Sequence, residues 1–61
     1  MDELRQVEVR GLGGKTAVAR LVEERDGTRY VVSEREYQAA RHEGRQVEAR
    51  LGFPKDDVSE A

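Results

Sequence analysis

The segment from Arg25 to Gly44 most constrains the fold, because it contains the signals for a turn, a strand and a helix with both ends. Asp26-Gly27 is typical of a two-residue hairpin loop, since glycine adopts a positive φ without a Cβ clash. Ser33 and Glu36 have the spacing of a capping box, in which the two residues satisfy each other's free amides at a helix start. Gly44 is suited to a left-handed C-cap. The segment therefore predicts a hairpin followed directly by a helix.

Residues 16–24, before the turn, are compatible with either a strand or a helix. As a strand they would pair with the segment after the turn, so that Glu24 opposes Arg29 and Val22 opposes Val31. Complementary charges and facing aliphatic side chains are favourable cross-strand partners. The strand interpretation is favoured for this reason, and the helical one remains the alternative.

The other segments complete a small α+β domain over residues 1–54. Gln6–Arg10 and Arg45–Leu51 alternate apolar and polar residues, which predicts a strand in each. Residues 34–43 form the helix, so the predicted order is β-β-β-α-β, in a small antiparallel sheet or a partly open SH3-like barrel with one helix. If residues 16–24 are helical, the order becomes β-α-β-α-β. The polar residues 55–61 are predicted to be a flexible acidic tail.

The helix start also predicts which sheet face the helix covers. Val32 and Tyr37 hold the two positions of a hydrophobic staple, so the helix should lie over the face that carries Val32. In the predicted register the other face carries three valines, which is many for a solvated face. Either the sheet curls and buries them, or a partner covers them. The candidate partner-binding surface comprises Val18, Arg20, Val22, Arg29 and Val31.

Composition restricts the classes of function. The 61 residues include no cysteine and a single histidine, so disulfides and thiolate metal sites are excluded and we expect neither a metal nor another cofactor. Apolar residues make up 36% and charged residues 39%, and the net charge is −2. No apolar run approaches 18 residues and the first residues lack a basic-then-apolar pattern, so we expect neither a membrane span nor a secretory signal. These features are compatible with a cytoplasmic protein.

Two motifs invite a functional interpretation, and neither predicts an enzyme. Gly14-Lys15-Thr16 resembles the end of a phosphate-binding loop, but Val9 stands where that loop requires its first glycine. A glycine-rich turn explains the segment, and Gly13, Gly14 and Lys15 remain a candidate anion site. His42 lies where the last helical turn is predicted, a position favourable to the helix dipole, without an evident nucleophile beside it.

The predicted function is therefore a non-enzymatic binding or regulatory module that acts through protein–protein contacts, with a homodimer as one form of such contact. The alternative is a nucleic-acid-binding module. It would use an arginine-rich sheet face together with the glycine–lysine turn, and its cationic residues would be Arg10, Lys15, Arg20 and Arg29. The acidic overall balance disfavours this alternative.

Overall fold

The computed structural model describes residues 3–12, 15–48 and 50–60. The elements are β1 (Arg5–Leu12), β2 (Lys15–Arg25), β3 (Thr28–Ser33), α1 (Glu34–Glu43), β4 (Leu51–Pro54), a 3-10 turn (Lys55–Asp57) and β5 (Val58–Glu60). The strands form one antiparallel sheet in the order β4-β3-β2-β1-β5, which confirms the α+β class and the order β-β-β-α-β, with β5 as an additional strand. The sheet is open. The β-α-β-α-β alternative is wrong, because residues 16–24 lie within β2.

The β2–β3 hairpin has the predicted two-residue loop. Asp26 and Gly27 both have positive φ, 53° and 81°, as the mirror-image turn of a tight hairpin requires. The pairing of Glu24 with Arg29 is also as predicted. Beyond it the register shifts between Leu21 and Glu23, so one extra residue is inserted into β2 as a bulge.

This bulge decides which side chains enter the core. Because side chains alternate between the two faces of a strand, one inserted residue reverses the faces beyond it. Leu21 now opposes Val31, whereas the predicted partner of Val31 was Val22. Val31 is therefore buried, which agrees with the alternative in which the sheet curls and buries the outer valines, and Val31 is not available to a partner. It belongs to a core cluster formed by Val7, Val9, Ala19, Val31 and Val58, with Leu21 and Phe53 packed against it.

The helix has the predicted limits and both predicted ends. The Ser33 hydroxyl accepts a hydrogen bond from the amide of Glu36 at 3.0 Å, which satisfies one free donor of the first turn. At the other end Gly44 has φ 70°, and the amide of Arg45 donates to the carbonyl of Ala40 at 3.0 Å. This is a Schellman C-cap. The helix packs on β2 and β3, and Val32, Tyr37 and Ala40 are buried.

The last strand before the C-terminal segment lies later in the chain than predicted. Residues 45–48, which were assigned to a strand over Arg45–Leu51, have no regular structure, and β4 begins at Leu51. The physical reason is that this segment is held to the helix: the amide of Glu48 donates to the Glu36 carboxylate at 3.1 Å. A backbone donor used in this way is not available to a strand ladder.

Residues 55–60 belong to regular structure, where the sequence predicted a flexible tail over 55–61, and Ala61 lies outside the described residues. They form the 3-10 turn and β5, which pairs with β1 and places Val58 opposite Val9. Val58 is only 3% exposed, so burial of this single valine explains why an otherwise polar segment returns to the sheet.

The sheet curls around its core. An Arg29 Nη1 donates to the carbonyl of Val58 at 2.8 Å, although β2 and β1 lie between the strands that carry them. The amide of Lys55 also donates to the carbonyl of Gly27 at 3.0 Å. The Arg29 contact brings β5 toward β3 across two intervening strands, whereas the Lys55 contact extends the pairing of β3 with β4. Within the described ranges, no helix is long and apolar enough to cross a membrane.

Candidate functional site

The structure does not bring the predicted partner-binding residues onto one surface. Val31 is in the core, at 1% exposure, and Val22 is half-buried at the bulge. Val18 remains exposed, at 42%, on the face opposite that of Val31. The predicted arginines are also divided between the two faces, because Arg20 opposes Val32 whereas Arg29 shares the side of Val31.

The cationic residues of the nucleic-acid alternative are dispersed as well. Arg20 and Arg29 each form an ion pair at 2.8 Å, with Glu34 and Glu24 respectively. Lys15 begins β2 and is exposed. The other two residues of the candidate anion site, Gly13 and Gly14, lie outside the described residues.

A groove on the helix side of the molecule brings together residues that the sequence did not connect. It has a volume of about 180 Å³ and lies between the last turns of α1, the irregular segment after it, and the residue before β1. Its lining combines four apolar or aromatic side chains with three guanidinium groups. The residues that line it are Leu4, Tyr37, Ala40, Arg41, Arg45, Gln46, Val47 and Arg50.

Arg45 builds the wall of this groove. Its guanidinium donates to the Glu36 carboxylate at 2.8 Å and to Glu43 at 2.6 Å. The hydrogen bonds from Arg45 and from the Glu48 amide lower the pKa of Glu36. The hydrogen bonds to Glu36 and Glu43 raise the pKa of Arg45. The capping-box spacing assigned this glutamate to the helix start, whereas its carboxylate instead ties the segment after Gly44 to the helix.

Arg20 fixes the other side of the groove, where Leu4 lies. It donates to the Glu34 carboxylate at 2.8 Å and to the carbonyl of Leu4 at 2.8 Å, while its Cζ lies 4.4 Å from the centroid of the Tyr37 ring. The hydrogen bond from Arg20 is the main cause that lowers the pKa of Glu34, and a second comes from Gln38. Arg20 therefore fixes Leu4 beside the helix, a structural role that the partner-surface prediction did not foresee.

The other two arginines of the groove are held more loosely. Arg41 pairs with Glu3 at 3.5 Å and Arg50 pairs with Glu23 at 3.3 Å. Their side chains are 51% and 45% exposed, and exposed pairs of this kind contribute only about 0–1 kcal/mol. An incoming carboxylate can therefore exchange with these partners at little cost.

Tyr37 is the most unusual lining residue. It is only 3% exposed, and its hydroxyl oxygen is buried without a hydrogen-bond partner among the described residues. Buried polar side-chain atoms are satisfied in the large majority of cases, so an unpaired one requires an explanation. Arg41 also lies over this ring, with its Cζ 5.7 Å from the centroid.

The two lowered carboxylate pKa values predict acid sensitivity. A group whose pKa is lowered in the folded state contributes stability above its unfolded value, about 4.3 for glutamate, and loses that contribution as the pH falls through the folded value. We expect the unfolding midpoint in denaturant to fall between about pH 5 and about pH 2, and Glu36→Gln to weaken this dependence. The matched control is Glu8→Gln, an exposed residue of β1, which should leave the pH profile as in the wild type. An unchanged profile in Glu36→Gln would contradict the assigned role.

The chain matches no protein-family model, and neither the search of curated proteins nor the search of solved structures finds a similar protein. In the part of the chain that the structure describes, no three histidine, aspartate or glutamate side chains are grouped to hold a metal ion. The groove is therefore interpreted from its own geometry and charge.

Proposed function

We propose that this protein is a non-enzymatic binding module, cytoplasmic in location, and that its groove receives an acidic segment of a protein partner. The observation that carries the proposal is the combination of three arginines with an apolar lining in one concave site. Guanidinium groups bind carboxylates through paired hydrogen bonds, and an apolar lining accepts an aliphatic side chain next to them.

The volume of the groove favours a side chain over a cofactor. Sites for cofactors and drug-sized ligands typically measure about 300–1,000 Å³, whereas an apolar cavity of about 150 Å³ holds a benzene-sized group. At about 180 Å³ this groove suits one side chain of a peptide, with the arginines at its margin contacting the acidic residues beside it. An open site of this size supports weak binding.

We expect the loosely paired arginines to make the groove selective for acidic segments. Arg41 and Arg50 are half-exposed, whereas Arg45 is held by two carboxylates. We therefore expect the first two to bind the partner and the third to maintain the shape of the groove. Because such contacts are screened by salt, binding should weaken between about 0.05 and 0.3 M ionic strength.

A direct test uses a fluorescein-labelled octapeptide of alternating glutamate and leucine. We expect saturable binding by fluorescence polarisation, with amide shifts concentrated on the groove residues, and a loss of at least about fivefold in Arg41→Gln/Arg50→Gln. The matched control, Arg10→Gln/Arg35→Gln, removes the same charge from two exposed positions outside the groove and should bind as the wild type does.

Other results would contradict the proposal. An equal loss in both double variants would mean that net charge, not the groove, attracts the peptide. Tighter binding of a single-stranded oligonucleotide than of the peptide at low salt would support the nucleic-acid alternative. Light scattering of the protein alone, showing dimers that Arg41→Gln/Arg50→Gln dissociates, would mean that a second copy occupies the groove.

A further inference from the structure

We infer that the Tyr37 hydroxyl is a ligand-binding group, which donates a hydrogen bond to a carboxylate oxygen of the segment that enters the groove. This inference rests on the proposed function and names the atom that would contact the acidic side chain. It starts from two observations on one residue: Tyr37 lines the groove, and its buried hydroxyl has no partner among the described residues.

The hydroxyl contributes nothing evident to folding. The ring of Tyr37 is buried beneath the helix, and Arg20 stacks on it, so packing and the cation–π contact are both properties of the ring. Phenylalanine would preserve these contacts, and it would avoid the cost of burying a polar group that makes no hydrogen bond. A tyrosine at this position therefore incurs a cost that its own fold does not recover.

The charges around the ring indicate what the hydroxyl would bind. The guanidinium groups of Arg20 and Arg41 lie over it, and Arg41 lines the same groove. The positive field of two arginines favours an anionic oxygen, and a phenol O–H is a donor to such an oxygen. A carboxylate that exchanges with Glu3 at Arg41 would enter the groove that Tyr37 also lines.

Other candidate sites among the described residues do not combine a concave surface with an unsatisfied polar group. The hairpin tip after Val9 includes two glycines outside the described residues, and the exposed side chains of Val18 and Leu51 lie on different strands. The Arg29 contacts are satisfied within the sheet by Glu24 and the carbonyl of Val58. Among the described residues, Tyr37 combines a buried hydroxyl without a hydrogen-bond partner with a position in the lining of the groove.

The test is Tyr37→Phe, with Tyr30→Phe as the matched control, because Tyr30 is a half-buried tyrosine of β3 that does not line the groove. We expect Tyr37→Phe to fold with an unfolding midpoint equal to or above that of the wild type. Its affinity for the glutamate–leucine octapeptide should fall about tenfold, as loss of a hydrogen bond to a charged group predicts. A second octapeptide, with glutamine in place of glutamate, should bind both proteins equally weakly.

The outcomes separate this inference from the function on which it rests. If Tyr37→Phe binds the glutamate peptide as tightly as the wild type while Arg41→Gln/Arg50→Gln does not, the inference is wrong and the groove function stands. If the wild type itself does not bind the peptide, both fail. If Tyr37→Phe is destabilised while Tyr30→Phe is not, the hydroxyl has a structural role and the inference is overturned.

Discussion

Val31→Asp is expected to abolish folding, whereas the same substitution at Val18 should leave a folded protein. Val31 is 1% exposed within the core cluster, so an aspartate there would lose the valine contacts and bury a carboxyl group without a partner. That cost is several kcal/mol. A domain of this size has a total stability of about 3–9 kcal/mol, so the substitution should consume most or all of it.

Val18 provides the control because it lies on β2 and is 42% exposed. A charged residue there remains in contact with water, and surface substitutions usually change stability by about 0.5 kcal/mol or less. Circular dichroism and amide spectra of both variants measure the difference. A folded Val31→Asp variant would contradict the burial of Val31 in the core cluster.

Arg20→Ala is expected to lower the free energy of unfolding by about 2 kcal/mol. The substitution removes the hydrogen bonds to Glu34 and to the carbonyl of Leu4, together with the stacking on Tyr37. Each hydrogen bond to a charged group contributes about 1.5–3 kcal/mol, and partial exposure of Glu34 reduces the total. Chemical denaturation at pH 7 measures the change.

Arg25→Ala is the matched control for this prediction. Arg25 also pairs with a glutamate, Glu23, at 3.1 Å, but its side chain is 66% exposed and the pair is on the surface. We expect a change of about 0.5 kcal/mol or less. The two variants should also differ in the amide signals of Leu4 and Tyr37, which only Arg20→Ala should move. Equal stability losses would show that Arg20 is no more than another surface cation.

Local structure was predictable where neighbouring residues interact. The Asp26-Gly27 loop, the Ser33 N-cap and the Gly44 C-cap each depend on backbone groups within a few residues, so their signals are complete in a short stretch of chain. For Glu36, the short-range signal did not predict the partner of its carboxylate. Its spacing from Ser33 predicted a reciprocal cap, but a guanidinium nine residues later, that of Arg45, attracts its carboxylate.

The groove could not be predicted in the same way. Leu4, Tyr37 and Arg50 are far apart in the chain, and only the packing of the helix against β2 and β3, with Arg20 holding Leu4, brings them together. The predicted surface on the sheet failed because its faces were counted through a continuous strand, which the bulge in β2 interrupts.

Signals between near neighbours in the chain were sufficient to predict the hairpin loop, the helix with its two caps and the α+β order, because φ preferences and short-range hydrogen bonds specify these features. The burial of Val31 and Val58, and the groove that Tyr37 lines together with three arginines, depend on contacts between residues far apart in the chain. The reason is that one inserted residue reverses a strand's faces, and the free energy that favours the insertion comes from burial across the sheet, not from the residues beside it.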